Sequence, residues 1–142
     1  MLYRSRQSLR TTLWILFVVL ASLGHADAHG AGADQVHFAV PHAKPGVPAL
    51  LGYLRQPAGD GPFAAVVLLH GCGGGADKLD RTWGARLQDW GYVAVTVDSF
   101  GPRGITTACN VSPDRQLDAY GALRLLAKNP AVDSNRIAVM GF

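Results

Sequence analysis

Apolar positions fall along the chain in three kinds of block. Leu13–Leu23 (LWILFVVLASL) is one unbroken apolar run behind a cationic start. Phe63–His70 (FAAVVLLH), Tyr92–Val97 (YVAVTV) and Arg136–Met140 (RIAVM) are shorter and apolar at both alternating positions. That is the pattern of strands buried on both faces of a parallel sheet. Between them the apolar residues recur at helical spacing: Leu79, Trp83, Leu87 and Trp90, then Leu117, Tyr120, Leu123 and Leu126. The first set predicts a helix from about Lys78 to Trp90, ended by Gly91. The second predicts a helix capped by Ser112, with Pro113 at its first position, Asp114 in its first turn, Lys128 in its last and Asn129-Pro130 as its stop. Upstream, Gln35–Val40 and Leu50–Arg55 read as short strands separated by PHAKPGVP, and QPAGDGP leads into the first buried strand. A strand pair followed by β-α-β-α-β, with right-handed crossovers, predicts a mostly parallel α/β sheet with helices on both faces.

Composition narrows the classes. A chain of 142 residues, 49% hydrophobic and 16% charged, holds one folded domain rather than several, and is not a disordered polymer. Its net charge of +3 comes from 13 Lys and Arg against 10 Asp. Arg4, Arg6 and Arg10 crowd the start. Residues 1–28 have the grammar of a secretory signal peptide: a cationic start, the apolar run, and Ala26-Asp27-Ala28 as a small-residue cleavage site. The eleven residues of the run rise about 16 Å as helix, short of a hydrocarbon core of about 30 Å, so an uncleaved anchor is the weaker reading and no stable span remains after cleavage. Ser5 separates Arg4 from Arg6, which does not support a twin-arginine signal. Without residues 1–28 ten cations face nine anions, so the charge does not point to nucleic acid. A periplasmic or secreted domain over residues 29–142 is expected.

An oxidising compartment changes the meaning of Cys72 and Cys109, the two cysteines of the chain. Both fall in loops at the same sheet edge, so a disulfide is expected. Closing a loop of this length stabilises by about 4 kcal/mol in the chain-entropy treatment. The alternative is two unpaired small hydrophobes. Two cysteines are too few for a disulfide scaffold or a four-ligand zinc module, and no metal site is expected.

Ligands of open α/β sheets lie beyond the carboxyl ends of the strands, here His70–Gly75, Asp98–Gly104 and whatever follows Gly141. Two chemistries compete for the glycine-rich stretch His70-Gly71-Cys72-Gly73-Gly74-Gly75. Gly71, Gly73 and Ala76 satisfy G-x-G-x-x-A after a strand, with Asp98 where a ribose-binding acid would lie, as in a Rossmann-like dinucleotide-binding domain. The other is an oxyanion loop, whose main-chain N–H groups stabilise the negative oxygen of a tetrahedral intermediate and whose glycines let substrate approach the backbone. A plain glycine-rich turn, in a secreted binding module without catalysis, is the third possibility.

HGCGG after FAAVVLL, then WGYVAVTVDSFGPRG, then VDSNRIAVMGF together resemble the dienelactone hydrolase family of α/β-hydrolases, over about Leu50 to Phe142. The resemblance implies hydrolysis of a small carboxylic ester or lactone by a Ser or Cys nucleophile, with Asp and His completing a triad in that chain order and no cofactor. It implies the Cys72 N–H, with Gly73, as the first half of the oxyanion hole, supported by His70 and Gly71. Gly141-Phe142 matches only the opening of the G-x-[S/C]-x-G nucleophile elbow, so the nucleophile is expected immediately after Phe142 and the C-terminal half of the domain is missing. All five histidines (His25, His29, His37, His42 and His70) precede that point, so the order cannot be completed within the chain, which is expected to be inactive as written.

The remaining candidates are individually weaker. Ser99 lacks the flanking glycines of a nucleophile, and Asp98 is expected to shape its loop by accepting main-chain N–H bonds. His70 reads as a brace of the oxyanion loop rather than a base. Cys72 as a nucleophile would need an activating partner. Arg103 in FGPRG could bind a substrate carboxylate through paired hydrogen bonds, or be an exposed loop cation. Asp118 and Asp133 read as surface or capping residues, and Trp83 and Trp90 as core.

Overall fold

The computed structural model describes residues 32–110 and 115–142. The leader at 1–28 and the cap at Ser112, Pro113 and Asp114 lie outside the described residues. Five strands form one sheet: β1 (Asp34–Phe38), β2 (Leu50–Arg55), β3 (Phe63–Leu69), β4 (Val93–Asp98) and β5 (Val132–Gly141), in the order β1-β2-β4-β3-β5. β1 and β2 pair antiparallel, as do β2 and β4, whereas β3 lies parallel to both β4 and β5. The parallel pairs come from the two β-α-β units, and the hairpin-like pair extends one edge.

Side chains alternate across β3 and so build two cores. Ala65 and Val67 join Val93, Val95 and Val97 of β4 beneath helix α2 (Arg115–Ala127), whose Ala122 and Leu126 are fully buried there. Val66 and Leu68 face the other way, with Ala94, onto Leu87 of helix α1. That helix is one continuous run, α-helical over Ala76–Leu79, π-helical over Asp80–Gly84 and α-helical again over Ala85–Asp89.

The π segment departs from the regular helix expected from Lys78 to Trp90, and Asp80 accounts for it. This carboxylate is buried against β2, where Arg55 Nη2 reaches Oδ2 at 2.7 Å and Arg55 Nε reaches Oδ1 at 3.0 Å. A Cβ on Gly84 would come within 2.5 Å of Asp80 Oδ1, so the widened turn and the absent side chain together make room for the charge. Trp90, expected in the core, is 62% exposed at the end of α1; Trp83 is half-buried and meets its ring edge-on at 6.5 Å. In α2 the buried positions are Asp118, Gly121, Ala122 and Leu126; of the expected stripe Leu126 is fully buried, Leu117 and Leu123 are half-buried, and Tyr120 is exposed. Gly121 is where the helix touches β1: a Cβ there would stand 2.9 Å from the Ala39 carbonyl oxygen and 3.0 Å from the Phe38 ring.

Candidate functional site

The glycine stretch leaves β3 at the carboxyl edge of the sheet, as its place after a buried strand requires. Gly74 N–H donates to the Gly71 carbonyl at 3.1 Å, closing a turn, and Gly74 and Gly75 take φ of 77° and 84°. Two consecutive left-handed residues before α1 explain the glycines there. The end of β5 runs alongside. Phe142 N–H donates to the Leu69 carbonyl at 3.1 Å, and a Cβ on Gly71 would stand 3.0 Å from the Phe142 carbonyl oxygen. His70, Gly71, Gly74, Gly75, Trp83 and Phe142 wall a cavity of about 280 Å³ between the loop, α1 and the end of β5. Cys72 and Gly73 lie outside that lining, exposed at the loop tip. Among the described residues, neither the Cys72 nor the Gly73 main-chain N–H has an acceptor.

His70 is 3% exposed and ties the glycine loop to the segment after β4. Its Nδ1 lies 2.8 Å from the Gly71 carbonyl oxygen, while Ser99 N–H donates to its Nε2 at 3.2 Å. The neutral ring with its proton on Nδ1 satisfies both bonds. The Phe100 ring packs edge-on against the imidazole at 4.6 Å. This environment engages both nitrogens in structure.

Cys72 and Cys109 are joined, with Sγ atoms 2.02 Å apart. The bridge fastens the glycine loop to residues 105–110, and main-chain bonds repeat the connection: Ala108 N–H donates to the Cys72 carbonyl at 2.9 Å and Thr107 Oγ1 to the same oxygen at 3.2 Å. A disulfide sulfur has no thiolate to attack with, so Cys72 as a nucleophile does not apply to this form.

Arg103 is neither a free loop cation nor open to a substrate. Its Nη1 and Nη2 meet Oδ2 and Oδ1 of Asp118 at 2.7 and 2.6 Å, and Nη1 also donates to the Ser99 carbonyl at 2.7 Å. The hydrogen-bonded carboxylate holds this guanidinium above its ordinary range, against the opposing effect of burial. Asp118, expected at the surface, is fully buried as the partner of that pair. Asp133 remains near the surface beside Arg136. Asp98 Oδ1 accepts the N–H groups of Phe100 at 3.0 Å and Gly101 at 2.8 Å. These bonds engage the carboxylate that the dinucleotide reading assigns to a ribose. The β2–β4 pairing is antiparallel, unlike the all-parallel mononucleotide-binding half that this reading requires.

Arg115 was not singled out from sequence. Its guanidinium donates to the His70 carbonyl and stacks over the Phe100 ring, 5.4 Å from the centroid. The signal was hidden because the contact spans 45 positions. Among the described residues no group of three or more His, Cys, Asp or Glu is arranged to hold a metal ion, and no helix is long and apolar enough to cross a membrane.

A mixed sheet with α1 and α2 on opposite faces, and a glycine loop braced at its carboxyl edge, defines the class. The chain has part of the α/β-hydrolase fold. Dienelactone hydrolase-like proteins and esterases are its neighbours within that class. It is 30% identical over 112 residues to Esterase FrsA of Klebsiella pneumoniae (strain 342), a match covering 76% of this chain and 25% of that protein. The chain thus spans about a quarter of the length of the curated relatives it matches. Among solved structures, the thermophilic carboxylesterase EstE1 from a metagenomic library superposes with a TM-score of 0.60 at 26% identity, covering 79% of this chain and 37% of that one. A dienelactone hydrolase-like promiscuous phosphotriesterase from metagenomic libraries gives 0.61 at 22% identity, covering 78% and 48%. No protein-family model matches the chain.

Proposed function

We propose that residues 29–142 form the oxyanion-loop part of an exported hydrolase of carboxylic esters or lactones, with residues 1–28 as the export leader. One observation carries the reading: the Cys72 and Gly73 N–H groups are without acceptors among the described residues, on a loop braced against the end of β5. Preorganised main-chain donors of this kind stabilise a developing oxyanion at little reorganisation cost. The similarity to Esterase FrsA supports the same chemistry. In this reading His70 and Gly71 hold the loop, Cys72 and Gly73 donate, and the nucleophile, acid and base lie outside these 142 residues. The substrate is a small ester or lactone, and no cofactor takes part.

The test uses p-nitrophenyl acetate. The chain alone gives no turnover above a heat-denatured control. A chimera joining residues 1–142 to the part of Esterase FrsA that follows its matching region hydrolyses the ester. Gly73→Pro in that chimera deletes one donor, at a position where a Cβ meets no described residue within 4 Å, and lowers kcat by about 100-fold or more. Turnover by the chain alone that disappears in Cys72→Ala, or a Gly73→Pro chimera of undiminished kcat, would overturn the assignment.

A further inference from the structure

We propose that the Cys72–Cys109 disulfide is a positioning element of the glycine loop that a dithiol can open, so that the loop is ordered only in the oxidised chain. Its functional meaning rests on the oxyanion reading above; its physical content does not.

The loop has little else to hold its tip. Among the described residues nothing comes within 4 Å of a Cβ built on Gly73 or Gly75, so none of their side chains packs over it there. Four of the five residues from Gly71 to Gly75 are glycine, which gives the released segment much conformational freedom to gain. What ties Cys72 to residues 105–109, apart from the covalent bond, is a pair of hydrogen bonds from Ala108 N–H and Thr107 Oγ1 to a single carbonyl oxygen on exposed chain. Bonds of that kind exchange with water at little cost. The loop base is held differently, by buried His70 and by Arg115 at the His70 carbonyl, and it stays in place when the tip is freed.

Both cysteines are exposed, so the bridge is open to attack. A thiolate of a dithiol reductant attacks Cys72 Sγ, forming a mixed disulfide and breaking the Sγ–Sγ bond. Cys109 leaves as a thiolate. Thr107 Oγ1, 3.7 Å from Cys109 Sγ, is placed to donate to that thiolate. The second thiol of the reductant, deprotonated, then displaces Cys72. Two electrons pass to the protein, the reductant closes to a cyclic disulfide, and both cysteines end as thiols after protonation. In the reduced chain the Cys72 and Gly73 amides sample many orientations, and their preorganisation toward an anion is lost.

Hydrogen–deuterium exchange on the full chain tests this in three samples: oxidised, reduced with dithiothreitol under native conditions, and Cys72→Ser/Cys109→Ser. The expected result is two titratable thiols after reduction and exchange about tenfold faster or more at the Gly74 and Ala108 amides, whose bonds to the Gly71 and Cys72 carbonyls close the loop and tie it to residues 105–110. Exchange in Phe63–Leu69, Val93–Asp98 and Arg115–Ala127 stays unchanged. The double variant shows the reduced pattern without reductant and does not respond to it. Equal exchange in oxidised and reduced chains overturns the proposal, as does a bridge that resists the dithiol. So does faster exchange across all strands together, which would make the bridge a staple of the whole domain; reduction of the wild-type chain decides between these if the variant does not fold. Failure here leaves the hydrolase reading standing, and failure of the chimera assay leaves this one standing.

Discussion

Replacing Arg103 by Met isolates the cost of a buried carboxylate without its partner. Asp118 is fully buried, and among the described residues both of its oxygens are served by the Arg103 guanidinium alone, at 2.6 and 2.7 Å. Methionine fills part of the volume and supplies no donor. Orphaning one member of such a pair costs about 3–5 kcal/mol, since the attraction is lost while the desolvation remains. The reciprocal change, Asp118→Ala, is milder: Arg103 lies on a loop and can turn its head to water, keeping its bond to the Ser99 carbonyl until it does. A cost nearer 2 kcal/mol is expected there, about that of a charged hydrogen bond. With a urea dependence of about 1–3 kcal/mol/M, Arg103→Met shifts the midpoint down by about 1–5 M at unchanged slope, a large part of the stability of a domain this size. The double variant Arg103→Met/Asp118→Leu removes the stranded charge and recovers most of the loss. Urea titration followed by tryptophan fluorescence reads all four chains. If Arg103→Met costs less than Asp118→Ala, or the double variant costs the sum of the two, Asp118 is not a buried charge held by this arginine.

Two further outcomes check the packing and the first turn of α1. Gly121→Val drives a side chain into the Ala39 carbonyl and the Phe38 ring, and a loss of about 1–3 kcal/mol is expected by the same titration. Asp77 sits in the first turn of α1, where the Lys78 N–H, and after it the Arg81 side chain, hold its carboxyl below the usual range. Its folded form therefore binds protons less readily than the unfolded chain. The stability it contributes is present above the ordinary carboxylate range and fades as the pH falls through the depressed value. Asp77→Asn should accordingly melt below wild type at pH 7 and together with it in strong acid, as thermal scans across that range would record.

Much of this architecture was legible because β3 and β4 are buried on both faces, whereas β5, expected to be buried as well, is an edge strand with Val139 49% exposed. Phe63–Leu69 and Val93–Asp98 carry unbroken apolar runs that only a covered parallel sheet accommodates, and Leu50–Arg55 emerged with the bounds its flanking turns indicate. The glycine loop was visible for the same reason: a break so abrupt after a buried strand marks a sheet edge. What stayed hidden was polar and long-range. Asp80 reads as a surface residue of a helix until Arg55, 25 positions away, is seen to claim it, and the π turn follows from that pairing. Asp118 likewise looks like an exposed helix position without Arg103, 15 residues earlier. Periodicity counts apolar side chains, so it assigned Tyr120 and Trp90 to the inside along with Leu126, which is there; an aspartate and a glycine share the inward positions of α2 with Ala122 and Leu126.

The register between β3 and β5 acts as a ruler. Leu69 pairs with Gly141, Met140 with Leu68 and Val139 with Val67, without interruption back to Ile137, whereas the irregularity lies between Phe63 and Ala65. Deleting one residue from the unbroken stretch would draw the chain back by about 3.3 Å and turn whatever comes next to the opposite face of the sheet. Insertions and deletions accumulating over evolutionary time should therefore collect near Val132–Asn135, where the ladder already tolerates a slip, and be purged from Ile137 onward.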